Sequence, residues 1–250
     1  MRLLKAVGVL ISLVVLAKVF VFPDYRHRFR LTIEFDTPDG VKSASGVHEV
    51  VRKDVRWIFF APGAHFEYHF HGEAIFLDLG RGKHVIALLA HGPTADQTEV
   101  LSMGVETFHP GLRSIDSAVW SERPRLTGVL QLPERYIPTM VTFADLSNPT
   151  TARVVFAVDR GLGTATSFVT DNAEAELGTG YRFHQATIER VQGMWPFDIL
   201  GYYGYPVSRG IEGRLPWWNQ AGRPAYQAHL ALKNGDRTGP ASLAEYLFKR

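Results

Sequence analysis

The sequence predicts an α+β protein: a single N-terminal transmembrane helix followed by a β-rich globular domain with short helices. Three observations carry this. Leu3 to Phe22 reads LLKAVGVLISLVVLAKVFVF, closed by Pro23 and Asp24. Tyr25 to Phe35 alternates apolar and polar residues, with the apolar ones mainly on odd numbers, as a half-buried strand does. The remainder is a series of short extended runs separated by Gly, Pro and Asp turns, with few helical stretches. The expected division is residues 1–22 as membrane anchor or signal peptide and 24–250 as the β-rich domain.

The apolar segment matches a bilayer because about 20 helical residues span its hydrocarbon core of about 30 Å. Its Lys5 and Lys18 lie near enough to the ends for their ammonium groups to reach the headgroups. Two readings compete. Ala6 to Ala17 is uncharged and preceded by Arg2 and Lys5, like the apolar region of a signal peptide, and Val15-Leu16-Ala17 would serve as its cleavage site. Cleavage would leave a mature chain beginning KVFVFP, an apolar start with nowhere to go, so the uncleaved anchor is preferred. Arg26, Arg28 and Arg30 behind the segment pull its orientation toward a cytoplasmic body, and the signal-like architecture pulls it the other way. The expected arrangement is single-pass, with the domain on the extracytoplasmic side.

Beyond the anchor, Tyr25–Thr37 and Val41–Arg52 flank Pro38-Asp39-Gly40 and read as a hairpin close to the membrane. Its arginines either touch anionic headgroups or form a solvated strand face. His65–Gly80 and His84–Gly92 read as two tightly joined strands. Thr94 is expected to cap a short helix from Ala95 to Phe108, weakened by Gly104. Further strands are expected at Met140–Phe143 and Tyr181–Val191, with helices at Thr164–Leu177 and Ala241–Phe248. Ser208 is expected to cap a helical turn near Glu212. Pro216 forces a corner where Leu215 and Trp217 should enter the core, leaving Trp218 more exposed.

Composition narrows the function classes. The 250 residues are 46% hydrophobic and 12% aromatic, enough for a packed core. Of 27 Lys and Arg, three (Arg2, Lys5 and Lys18) sit within residues 1–22, and the rest nearly balance 25 Asp and Glu. That balance argues against nucleic acid as a partner. With no cysteine there is neither disulfide nor thiol catalysis nor a Cys-type zinc site.

Two groups of residues carry candidate chemistry. His65, Glu67, His69, His71 and Glu73 share one face if their stretch is a continuous strand, with Phe66, Tyr68 and Phe70 on the other. Imidazole and carboxylate at that spacing suit zinc or a similar divalent ion, with His84 or His91 completing the set. A plain solvated face opposite an aromatic one explains the pattern as well. Trp195, Phe197, Tyr202, Tyr203 and Tyr205, between Gly193 and Pro206, suit either a binding surface or a cover over the core. Neither a GxSxG elbow nor a phosphate-binding glycine loop is present.

The segments YRHRFRLTIEFDTPDGVKSASGVHEV, GEAIFLDLG, PTMVTFADLSNP and SRGIEGRLPW, in this order, resemble an uncharacterised family of proteobacterial membrane-anchored proteins with a β-rich body. The resemblance implies a bacterial membrane context and no reaction, so the expected location is the bacterial inner membrane, single-pass, with the domain in the periplasm. The expected function is therefore a membrane-anchored binding or structural module of the cell envelope, holding the membrane through residues 3–22, with a protein partner and no cofactor. A divalent-metal-dependent hydrolase using the His65–Glu73 face, through His65, His69 and His71, is the alternative.

Overall fold

A computed structural model describes residues 7–9, 12–13, 24–55, 66–116, 118–121, 124–160, 167–191, 207–220, 223–233 and 247–248. The protein is α+β, with two five-stranded antiparallel sheets and a few short helices. Most of Leu3–Phe22 lies outside the described residues. Residues 7–9 and 12–13 of it are helical, with Ser12 Oγ donating to the Gly8 carbonyl and Val7, Val9 and Leu13 exposed. Among the described residues no helix is long and apolar enough to cross a membrane.

The first sheet is built on the hairpin of β1 (Tyr25–Thr37) and β2 (Gly40–Asp54). Its two-residue turn, Pro38-Asp39, is held by Thr37 Oγ1 donating to the Gly40 carbonyl and accepting from the Asp39 N–H. That turn fixes the register all the way back, so that Tyr25 faces Arg52. β3 (Phe66–His71) pairs with β2; β10 (Arg182–Arg190) and then β6 (Val129–Gln131) extend the other side. The second sheet has the order β4 (Ile75–Gly80), β5 (Lys83–Ala87), β7 (Met140–Phe143), β8 (Ala152–Arg160), β9 (Ser167–Asp171).

The inner faces of the two sheets share one core. Phe29, Leu31, Ile33 and Phe35 of β1 lie in it with Leu77 and Leu79 of β4, Val85 of β5 and Val158 of β8. The helix α1 (Val100–Glu106) closes one side, where Gly104 meets Phe29 so tightly that an added Cβ would lie 2.2 Å from the ring. The glycine that weakens the expected helix is thus the contact that lets it dock. The helix also begins later than expected, since Ala95 has a left-handed backbone and Thr94 caps nothing there.

The other face of the second sheet carries a second core. Ile86, Leu88, Val141 and Phe143 pack there against Ile211, Leu215, Trp217, Leu247 and Phe248, and against α4 (Pro224–Leu232). Leu215 and Trp217 are buried and Trp218 only partly so, as the Pro216 corner requires. α4 has no counterpart in the sequence reading, because its Ala-rich stretch carries little amphipathic signal. Thr164–Leu177 is not one helix: among its described residues, β9 takes Ser167–Asp171 and α3 (Ala173–Leu177), ended by Gly178, is helical. Of the helix expected at 241–248, only 247–248 are described.

The chain leaves the first sheet for the second between β3 and β4. Gly72 marks the crossing, where a Cβ would meet the His48 ring at 2.3 Å. His65–Gly80 is therefore two strands in different sheets, not one.

Candidate binding site at the Tyr25 end of the first sheet

The crossing at Gly72 breaks the expected histidine face. Glu67, His69 and His71 remain together on the outer side of β3, His69 and His71 with parallel rings 6.5 Å apart and His69 3.4 Å from Glu67. Glu73 has turned inward: it is 4% exposed, and its Oε2 accepts the Ile211 N–H at 2.8 Å. His84 is buried between Phe76 and Phe143 and accepts the Phe143 N–H. His91 is fixed at both ring nitrogens, accepting from the Glu99 N–H and donating to the Tyr136 carbonyl. Neither can join the β3 histidines. His65 lies outside the described residues, and among those described no three His, Asp or Glu are placed to hold a metal ion.

The outward arginines of β1 are already paired within the sheet. Arg28 donates to Glu49 at 2.7 Å and Arg26 to the other oxygen of the same carboxylate at 3.3 Å. Arg30 meets Glu189 of β10 at 3.1 Å. The hairpin's arginines are thus a cross-strand ion-pair ladder, with little positive charge left over for headgroups. Ser208 does not cap a turn either. Its Oγ accepts from the Val47 N–H and its N–H donates to the Val47 carbonyl, which ties the C-terminal part to β2.

The unusual chemistry is on the inner side. β1 continues its inward alternation past Phe29 to His27 and Tyr25, and the hairpin register places Arg52 beside Tyr25. From the opposite neighbour, β10, Arg190 lies across from Phe29. Trp120, on the short helix α2 (Ala118–Ser121), covers this end, with its indole N–H held by the Ser114 carbonyl. Its ring stands edge-on to His27 at 5.0 Å and against Tyr68 at 5.7 Å.

Arg52 is only 4% exposed. Its guanidinium lies 3.6 Å above the Phe66 ring, with Tyr25 at 5.8 Å and Trp120 at 6.0 Å. Its Nε has no hydrogen-bond partner among the described residues, and the same holds for Nδ1 of His27 and Nη1 of Arg190. The magnitudes are unequal. Burying an ion costs several kcal/mol, whereas a desolvated cation–π contact returns about 2 kcal/mol. Asp54, two residues along β2 on the same face, is also buried.

His27, 3% exposed, is neutral. Burial pushes its pKa down to about 3, helped by the charges of Arg190 and His109 and opposed by a hydrogen bond to the Trp120 backbone. This end therefore buries two guanidinium groups, each with a nitrogen lacking a hydrogen-bond partner among the described residues, beside aromatic rings. Tyr68, 36% exposed, and the half-buried Tyr25, Phe66 and Arg190 are its more accessible residues.

Sequence reasoning grouped His27 with the strand's alternation and missed the cluster. The inward position of Arg52 was implicit in the two-residue turn, since each step back from Thr37 is a step forward from Gly40. Arg190 had no local signal, because β1 and β10 are far apart in sequence. Trp195, Phe197, Tyr202, Tyr203 and Tyr205 lie outside the described residues. The chain does leave β10 for that segment at this same end, where the Val191 N–H bonds the Arg28 carbonyl. Comparison with protein-family models, curated proteins and solved structures finds no match to this chain.

Proposed function

We propose that this protein is a membrane-anchored binding module of the bacterial cell envelope, held by residues 3–22, whose ligand-engaging end is the anchor-proximal end of the first sheet. One observation carries the reading: a buried, aromatic-walled arginine with an unpartnered Nε stands beside Tyr25, where the domain begins two residues after the apolar segment closes with Pro23. A group that depends on burial without full internal pairing is better explained by an external partner than by stability. The exposed apolar residues Val7, Val9 and Leu13 on the helical stretch support the anchor. The body's placement in the periplasm belongs to the same proposal.

The experiment is fractionation of cells expressing the full chain. The protein should pellet with membranes and resist carbonate, and a chain starting at Asp24 should not pellet. A full-length product that is soluble, with an N-terminus at Lys18, would replace the anchor by a cleaved signal. A periplasm-dependent reporter joined after Arg250 should be active; activity only of a cytoplasmic reporter would reverse the side.

A further inference from the structure

We propose that the two loops carrying Ile115 and Leu126 seat the Tyr25 end of the domain on a bilayer surface rich in anionic phospholipid. The inference rests on the membrane-anchored reading above, and it names lipid as a partner of that end.

Ile115 is 62% exposed and Leu126 42% exposed. Apolar residues scattered singly on a surface mean little, but these two belong to loops that are bonded together. The N–H groups of Arg125 and Leu126 both donate to the Phe108 carbonyl, and the Arg125 guanidinium reaches the Pro110 carbonyl at 3.3 Å. The loop from Phe108 to Asp116 in turn covers the Tyr25 end. Its His109 lies 6.4 Å from His27, and its Ser114 carbonyl holds the indole N–H of Trp120 at 2.8 Å. From Trp120 the Arg52 guanidinium is 6.0 Å away, and Tyr25 is 5.8 Å from that guanidinium. Tyr25 follows the close of the apolar segment at Pro23 by two residues. A bilayer that holds residues 3–22 therefore stands within a few residues' reach of this end.

Charge favours lipid over a protein partner. An exposed arginine accompanies each apolar side chain, Arg113 two residues before Ile115 and Arg125 directly before Leu126. Within residues 110–116 and 124–128 the one carboxylate is Asp116, whose Oδ2 accepts the Arg113 N–H. The apolar centre of a protein interface is depleted in charge. Apolar tips entering the acyl boundary, beside cations that stay with anionic headgroups, are instead the chemistry of interfacial binding. The strand arginines cannot supply it, since Arg26 and Arg28 share Glu49 and Arg30 has Glu189. Tyr25 and the partly exposed Tyr68 add rings with polar tips, which suit the same depth.

The test uses the full chain, whose lack of cysteine lets Ile115→Cys, Leu126→Cys and Val41→Cys each carry a single NBD fluorophore. All three positions are exposed, so the labels should leave the fold intact. Val41 lies beside the hairpin turn at the opposite end of the first sheet and serves as the control. The chain is placed in phosphatidylglycerol nanodiscs containing phosphatidylcholine with a nitroxide high on its acyl chain. Emission at 115 and 126 should shift to the blue and be quenched, and emission at 41 should not. Exchanging phosphatidylglycerol for phosphatidylcholine should weaken the quenching. So should Arg113→Gln with Arg125→Gln, by about fivefold in the docked-to-free ratio for each arginine.

Labels at 115 and 126 quenched no more than the label at 41 overturn the proposal. A blue shift without quenching also overturns it and places a protein surface there instead. Quenching that is indifferent to phosphatidylglycerol overturns the anionic preference. Carbonate extraction scores the anchor separately. A chain that carbonate releases, yet whose labels at 115 and 126 are quenched by added vesicles of the same lipids, loses the anchor and keeps the docking surface. A chain that resists carbonate with all three labels unquenched keeps the anchor and loses the docking surface.

Discussion

From Phe29 to Phe35 the inner face of β1 is apolar and packed against the second sheet, whereas Tyr25 and His27, on the same face of the same strand, stand among Arg52, Arg190 and Trp120. Both halves are buried, and both obey the same period-two alternation. They differ in what burial accomplishes. In the apolar half, every ring and methyl removed from water adds to stability. In the polar half, donors are held dry with atoms unsatisfied, which opposes stability. A fold retains such a region at the expense of its own stability, and functional sites are where that trade is found.

The largest expected effect lies in the apolar half. Phe35 is fully buried, and Phe35→Ala should destabilise by about 3–5 kcal/mol in urea unfolding. A loss below about 1 kcal/mol would mean that the contrast between the halves is not one of packing.

Next in size is acid sensitivity. His27 and His48 are buried and neutral, their pKa values pushed down by burial to about 3 and about 4. In the unfolded chain both titrate at about 6.5. The unfolded state therefore takes up protons first, so the stability these groups contribute is complete above that pH and is lost as pH falls toward the folded values. Each should account for about 2 kcal/mol lost by pH 5. His27→Gln should remove its share of the slope. Stability independent of pH between 7 and 5 would show that the polar half admits a proton freely.

The smallest effect is expected on the outer side of the same sheet. His69 and His71 are solvent-facing on β3, and replacing both by Gln should change stability by less than about 1 kcal/mol. A large drop in melting temperature, together with metal lost from the purified protein, would revive the hydrolase reading.

How much of this the sequence showed follows from the range of each interaction. Alternation and a two-residue turn are local, so the hairpin was legible, and with it the inward side of β1. The proline corner at Pro216 is also local, and it placed Leu215 and Trp217 inside. The switch of sheets at Gly72 was not legible, because its cause is the close approach of His48 from another strand. The strand Ser167–Asp171 was hidden in an acidic, alanine-containing stretch whose composition favours helix, and its pairing with β8 overrides that preference. The polar end needed two strands at once: Arg52 through the hairpin and Arg190 through a partner more than 150 residues away. Only the first of these is written in neighbouring residues.

The most direct measurement of the central claim compares Arg52→Met with wild type by chemical unfolding of the full chain. If Arg52 is held for an external partner and not for stability, the methionine, similar in shape and uncharged, should leave stability unchanged or raise it by about 1 kcal/mol or more. A variant destabilised by about 3 kcal/mol or more would make Arg52 a structural residue and contradict the account.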